Sequence, residues 1–227
     1  MGAPDPVQLL TALTTEHFTL QGARSQTMNE TSARASLYMY AVSSALVALG
    51  FVSQVADGVG VVFATFALTV LPVIYFLGCA TYVRLVECGA EDLRYGMAIN
   101  RIRAYYKEIA DERADLFLLS GNDDAAGVFA NMGLPASRRN PAFAFSTAIA
   151  VVNGVVGGAT AGLALGAFPG VELWLATALG ILVAAASIAY WLRRAARILA
   201  AAASQVSPRF PSAPTGAGDG QARGHDT

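Results

Sequence analysis

Charge is what this chain has least of. Only 14% of its 227 residues are Asp, Glu, Lys or Arg, against about 25% in an ordinary soluble domain. The shortage is concentrated: residues 35–56, 59–83 and 142–167 carry no charged side chain, and 171–192 carries only Glu172 at its tip. Four such runs, within a chain that is 55% hydrophobic with a mean hydropathy of +0.48, exclude a large soluble core and point to a membrane. With no Asp, Glu, Lys, Arg or His at membrane depth, they also argue against an ion-coupled pump, which usually carries such groups there.

Cysteine and histidine are nearly absent too. Cys79 and Cys88 lie nine residues apart, a spacing that fits neither a zinc knuckle nor a redox pair, so both are read as packing residues. Of the two histidines, His225 is in the tail, and His17 has no second metal ligand at helical spacing. Nucleophile elbows, phosphate-cradling glycine loops and dinucleotide fingerprints are missing. Asp111, Glu112 and Asp115 are the nearest thing to an acidic constellation, and on a charged helix they read as a solvated face. The expectation is therefore no enzyme, no cofactor and no metal. A net charge of −1 gives no field that would favour nucleic acid.

What is present reads as an all-α integral membrane protein: four transmembrane helices in two hairpins, with a cytoplasmic amphipathic helix between them. Residues 1–34 form a cytoplasmic N-terminal amphipathic segment, with Leu9, Leu10, Leu13 and Phe18 near helical spacing and Pro6 suited to a first turn. The first hairpin occupies 35–83, as spans 35–56 and 59–83 turning at Asp57-Gly58. At about 1.5 Å per residue, 22 residues cover roughly 33 Å, enough to cross the hydrocarbon layer. Pro72 predicts a kink in the second span.

The central segment, 84–141, alternates apolar and charged residues and reads as one long amphipathic helix to about Ser120. Lys107 with Asp111 and Glu91 with Arg94 are its expected ion pairs. After Gly121-Asn122, Asp123 or Asp124 can cap a short helix ending near Met132-Gly133. Arg101, Arg103, Tyr105, Tyr106 and Lys107 form the candidate partner surface. The second hairpin, 142–192, has spans 142–167 and 171–192 joined at Phe168-Pro169-Gly170. Residues 193–227 are a basic end followed by a Pro-, Gly- and Ser-rich tail, expected to be disordered from Val206 onward.

Small residues mark the third span. Gly154, Gly158, Gly162 and Gly166 recur every fourth position and put a shallow groove on one helix face, where another backbone can approach. Whether that backbone belongs to the same chain is open at this level. Ser43, Ser44, Thr65, Thr69 and Asn153 are the candidate polar lining if the spans enclose a path.

Eight of the fifteen Lys and Arg residues fall in the central segment, and the two hairpin tips have none. The positive-inside rule then places both termini and the centre in the cytoplasm of a bacterial plasma membrane. The stretch Ser32-Ala-Arg-Ala-Ser-Leu-Tyr-Met-Tyr40 aligns without gaps to Ser137-Arg-Arg-Asn-Pro-Ala-Phe-Ala-Phe145. Membrane insertion itself demands Arg and aromatic residues there, so duplication is not required.

Two stretches, Thr15-Glu-His-Phe-Thr-Leu-Gln-Gly-Ala-Arg-Ser25 and Ile99-Asn-Arg-Ile-Arg-Ala-Tyr-Tyr106, together with high Ala, Gly and Arg content, give a further lead. Over residues 15–195 the chain resembles an uncharacterised family of actinobacterial four-transmembrane-helix membrane proteins. The resemblance implies an integral membrane protein and assigns no activity. The expected function is accordingly non-enzymatic: self-association as a homo-oligomer, or binding of a cytoplasmic protein partner through the central helix. An oligomeric channel is the alternative. A membrane-embedded enzyme using Asp111 and Asp115 stands third.

Overall fold

The computed structural model describes residues 5–55, 60–133 and 141–213, with side chains described from Ser146 in the last stretch. The turn at Asp57-Gly58, and Arg138 and Arg139, lie outside the described residues. All regular structure among them is helical: α1 (Pro6–Val55), α2 (Val61–Ala110), a 3-10 helix (Asp111–Leu116), α3 (Ala125–Asn131), α4 (Pro141–Gly166) and α5 (Leu173–Ser204).

Four helices are long and apolar enough to cross a membrane. Only 11–33% of the most apolar window of each is buried within the chain. The remaining apolar surface, including Leu46, Phe51, Val62, Phe76, Ile181 and Leu182, requires lipid rather than water around it.

Three of these helices overrun the apolar runs that define the spans. α1 starts 29 residues before position 35, and α2 continues 27 residues beyond position 83. At 1.5 Å per residue each 50-residue helix is about 75 Å long, more than twice a hydrocarbon layer. Asp5 opens α1 by accepting the Val7 N–H at 3.1 Å, with Pro6 in the first turn. α2 passes through Pro72 as one helix. It ends at Ala110, ten residues short of the expected Ser120, because Asp111 turns to φ 46° and the chain tightens into the 3-10 helix. That turn removes the i,i+4 geometry that Lys107 and Asp111 needed.

Contacts divide the chain into two compact units: residues 25–92 with 139–202, and residues 1–24, 93–138 and 203–227. The first is the four-helix unit. Its core gathers Tyr38, Val42 and Leu49 of α1, Leu71, Ile74, Tyr82 and Leu85 of α2, Ile149 of α4 and Ala195 of α5. Tyr82 donates to the Trp191 carbonyl at 2.8 Å, with the rings 5.2 Å apart.

The second, polar unit has a smaller core of Leu93, Met97 and Val128, with Phe129, Met132 and Val206 packed against it. Gly96 permits the close approach of α3: a Cβ there would stand 2.8 Å from Val128 Cγ1. Of the two candidate caps for α3, Asp124 is the one used, accepting the Gly127 N–H at 2.7 Å. The expectation of a tail disordered from Val206 is corrected as far as Ala213. Residues 207–212 lie docked against Arg101 and the 122–124 loop, held by hydrogen bonds of their main chain and of the Ser212 hydroxyl.

Candidate functional site

Asn153 is the only member of the candidate polar lining that lies inside the four-helix unit. It is buried, accepts the Tyr38 hydroxyl at 3.1 Å and donates from Nδ2 to Cys79 Sγ at 3.4 Å. Its carboxamide sits directly against Gly78, where any side chain would collide with it. The amide thus joins α1, α2 and α4 inside the core. Ser43, Ser44, Thr65 and Thr69 are all exposed on the outside of the unit, and Thr69 returns its hydroxyl to the Thr65 carbonyl at 2.8 Å. The five residues do not meet.

The glycine ladder faces α5 of the same chain. A side chain at Gly154 would strike Ile188, one at Gly158 would strike the Gly180 carbonyl, and one at Gly162 would stand 3.1 Å from the Ala176 carbonyl. Gly166 lies beside the Ala176 methyl. α5 answers with its own fourfold spacing of Ala176, Gly180, Ala184 and Ile188, so the two helices approach closely along about three turns. Gly157, on the neighbouring face, receives the Tyr75 ring.

Where the four-helix unit becomes polar, Glu30 of α1 is clamped by Arg84 of α2 through Nε at 2.8 Å and Nη2 at 3.0 Å. Arg34 adds a bond at 2.8 Å from the same helix. The hydrogen bonds of Arg84 and then Arg34 pull the Glu30 carboxyl down to about 2, and the same pairing raises Arg84. Arg84 also reaches Glu91 at 3.2 Å, so Glu91 pairs with Arg84, whereas Arg94 donates to Gln205. Cys88 is fully buried, and burial pushes its thiol up.

The polar unit absorbs most of the candidate partner surface. Arg101 donates to Asp123 Oδ2 and to the Ser207 carbonyl, both at 2.6 Å. Arg103 donates to Asn100 Oδ1 at 2.7 Å and to the Ser120 carbonyl at 3.3 Å. Tyr106 stacks near His17 and Phe117 and reaches Thr14. Tyr105 and Lys107 are half-buried. These side chains build the unit more than they present a face. Beside them, His17 is held low first by burial and then by the charge of Arg103, which keeps the ring neutral at pH 7.

The densest chemistry is at Asp123 and Asp124. Asp123 is fully buried. It receives the N–H of Arg209 at 3.0 Å and of Phe210 at 2.7 Å, while its own N–H donates to the Phe210 carbonyl at 3.1 Å. Asp124 receives the Ser212 N–H at 2.6 Å and its hydroxyl at 2.8 Å. Burial works to raise both carboxyls, but these donors, with Arg101 at Asp123 and Gly127 at Asp124, hold them below the usual range. No three His, Cys, Asp or Glu side chains gather to hold a metal among the described residues.

Sequence spacing shows Asp123 and Asp124 only as possible caps. Apart from the Ser212 hydroxyl, their long-range partners, 86–88 residues away, are main-chain groups that leave no signature in residue type. Glu30 is missed for a related reason, since its partner Arg84 is 54 residues distant. Fold and site together define an all-helical, multi-pass type of chain with a polar unit built on the same helices. No family model, curated protein or solved structure matches it.

Proposed function

We propose that this chain is a non-enzymatic membrane protein of the bacterial plasma membrane whose polar unit lies in the cytoplasm and binds another protein there. The supporting observation is where exposed large apolar side chains fall along α1 and α2. On α1 none lies between Phe18 and Leu37, and on α2 none lies between Leu77 and Ile109. The membrane-facing band therefore stops, and a separate apolar set begins in the polar unit: Val7, Leu10, Phe18, Ile109, Leu116 and Leu118. Leu118 is 94% exposed. Exposed apolar surface of this kind, outside the charge-free runs of the sequence, marks an interaction site. The reading fits the abundance of Lys and Arg in the central segment and the resemblance to four-span actinobacterial membrane proteins.

A photo-crosslinking residue at Leu118, with a second at Val47 as a lipid-facing control, tests this in native membranes. The expected result is a discrete protein adduct at Leu118 alone; an adduct of twice the chain mass identifies the partner as a second copy. Protein adducts at neither position, together with ion conductance in reconstituted bilayers, would replace this reading with the channel. The outward Ser43, Ser44, Thr65 and Thr69 favour that alternative only if several copies assemble around them.

A further inference from the structure

The Asp123–Asp124 loop and the segment bound to it depend on each other unequally. The loop is braced from its own side. Arg101 orients Asp123, Asp124 caps α3, and Asn131 ties Ser120 through its carbonyl at 2.9 Å and its N–H at 2.8 Å. Gly127 lies so close to Asn122 that no side chain fits between them. The bound segment, Ser-Pro-Arg-Phe-Pro-Ser at 207–212, has no such support. Ser207, Pro208, Arg209 and Pro211 are exposed, and Phe210 and Ser212 are only half-buried. No apolar anchor of this segment is fully buried, so directional bonds hold it: three main-chain N–H groups, two carbonyls and one hydroxyl. A rigid receptor loop that reads an extended chain through its main chain is how peptide-binding modules work.

We propose that the Asp123–Asp124 loop is a peptide-binding site, in which residues 207–212 are the resident ligand and an extended segment of a partner protein is the exchanging one. The partner segment is defined by what the two carboxylates read. It offers two consecutive N–H groups to Asp123, then a residue that need donate nothing, filled here by Pro211, then a serine whose N–H and hydroxyl both meet Asp124. A basic or acidic side chain at the first position is immaterial, because Arg209 enters only through its N–H. This inference rests on the cytoplasmic partner-binding reading and assigns that partner a second point of contact.

The test uses the full chain with Phe210→Pro and Ser212→Pro, which removes two of the three N–H donors and vacates the loop. A fluorescent peptide Ser-Pro-Arg-Phe-Pro-Ser-Ala is titrated by anisotropy in detergent. Saturable binding is expected. It should be at least tenfold weaker to the unmodified chain, where the tethered tail competes at an effective concentration near millimolar, and at least tenfold weaker again with Asp123→Asn added to the vacated variant. Absence of saturable binding to a variant that keeps the parent melting temperature overturns the proposal.

If that variant does not fold, amide hydrogen exchange on the unmodified chain decides. Millimolar peptide should accelerate exchange at Arg209 and Phe210, and unchanged rates overturn the proposal equally. Cross-linking at Leu118 does not use Asp123, so an intact Leu118 adduct with a silent peptide titration sinks this inference while leaving the broader reading in place.

Discussion

Tyr38 of α1 donates a 3.1 Å hydrogen bond to Asn153 of α4, 115 residues away, and both side chains are buried. The bond satisfies a buried amide inside the four-helix unit from a helix that is not its neighbour in the chain. Interhelical bonds of this type contribute about 0.5–2 kcal/mol. Tyr38→Phe should therefore lower the melting temperature in detergent by a few degrees without changing expression or particle mass. Asn153→Ala should cost more, because it removes both bonds and opens space beside Gly78. A Tyr38→Phe variant as stable as the parent would show that the bond adds nothing net.

The close α4–α5 seam makes a different prediction. Gly158→Leu would drive a side chain into the Gly180 carbonyl and should destabilise the helix pair by roughly 1–3 kcal/mol. Because that seam is internal, the particle mass by native mass spectrometry should stay that of the parent. A change of oligomer size on Gly158→Leu, with the fold intact, would place the ladder between chains instead.

Acid should act through Glu30. Its folded carboxyl is pulled to about 2 from an ordinary 4.5, so the folded state binds its proton less readily than the unfolded state. The clamp's contribution is then full above pH 4.5 and disappears as pH falls from there toward 2. Arg84→Met removes the main cause, and its melting temperature should change less over that interval than the parent's. Parallel acid profiles for the two chains would contradict the role given to this pair.

Cys88 is fully buried with its thiol pushed up, and a thiol rather than a thiolate alkylates slowly. Maleimide applied to the folded protein should leave Cys88 unmodified until denaturant is added. Rapid stoichiometric labelling of Cys88 under native conditions would mean that the Glu30–Arg84 end of the unit opens readily.

Much of this architecture could be read in the residues. Runs without charge gave the four apolar helices within a few residues at their membrane ends, and Pro6, Asp124 and the Phe168-Pro169-Gly170 turn fell where local chemistry puts them, with Gly170 at φ 83°. Helix length beyond the apolar runs was not legible, because a 3.6-residue period marks a face and not an end. Neither was the partner of the glycine ladder: small residues specify closeness, while the answering face of Ala176, Gly180 and Ala184 lies on another helix and is built of residues common throughout the chain. The docked tail misled for the opposite reason. Few large apolar residues fall there, and composition cannot show that carboxylates elsewhere will take up the N–H groups of Arg209, Phe210 and Ser212.

The ladder also has a consequence for register. Along most of the seam, small residues repeat every fourth position on both α4 and α5, so a slide of one turn, about 5.4 Å, again sets small against small in its middle. Ile188, seated in the hollow at Gly154, is a bulky side chain in that row and favours the setting observed. Packed surfaces with two discrete settings can ratchet by a turn. Ile188 works against that slide, as do the Tyr75 ring held at Gly157 of α4 and its hydroxyl bonded to Ser187 of α5 at 3.2 Å.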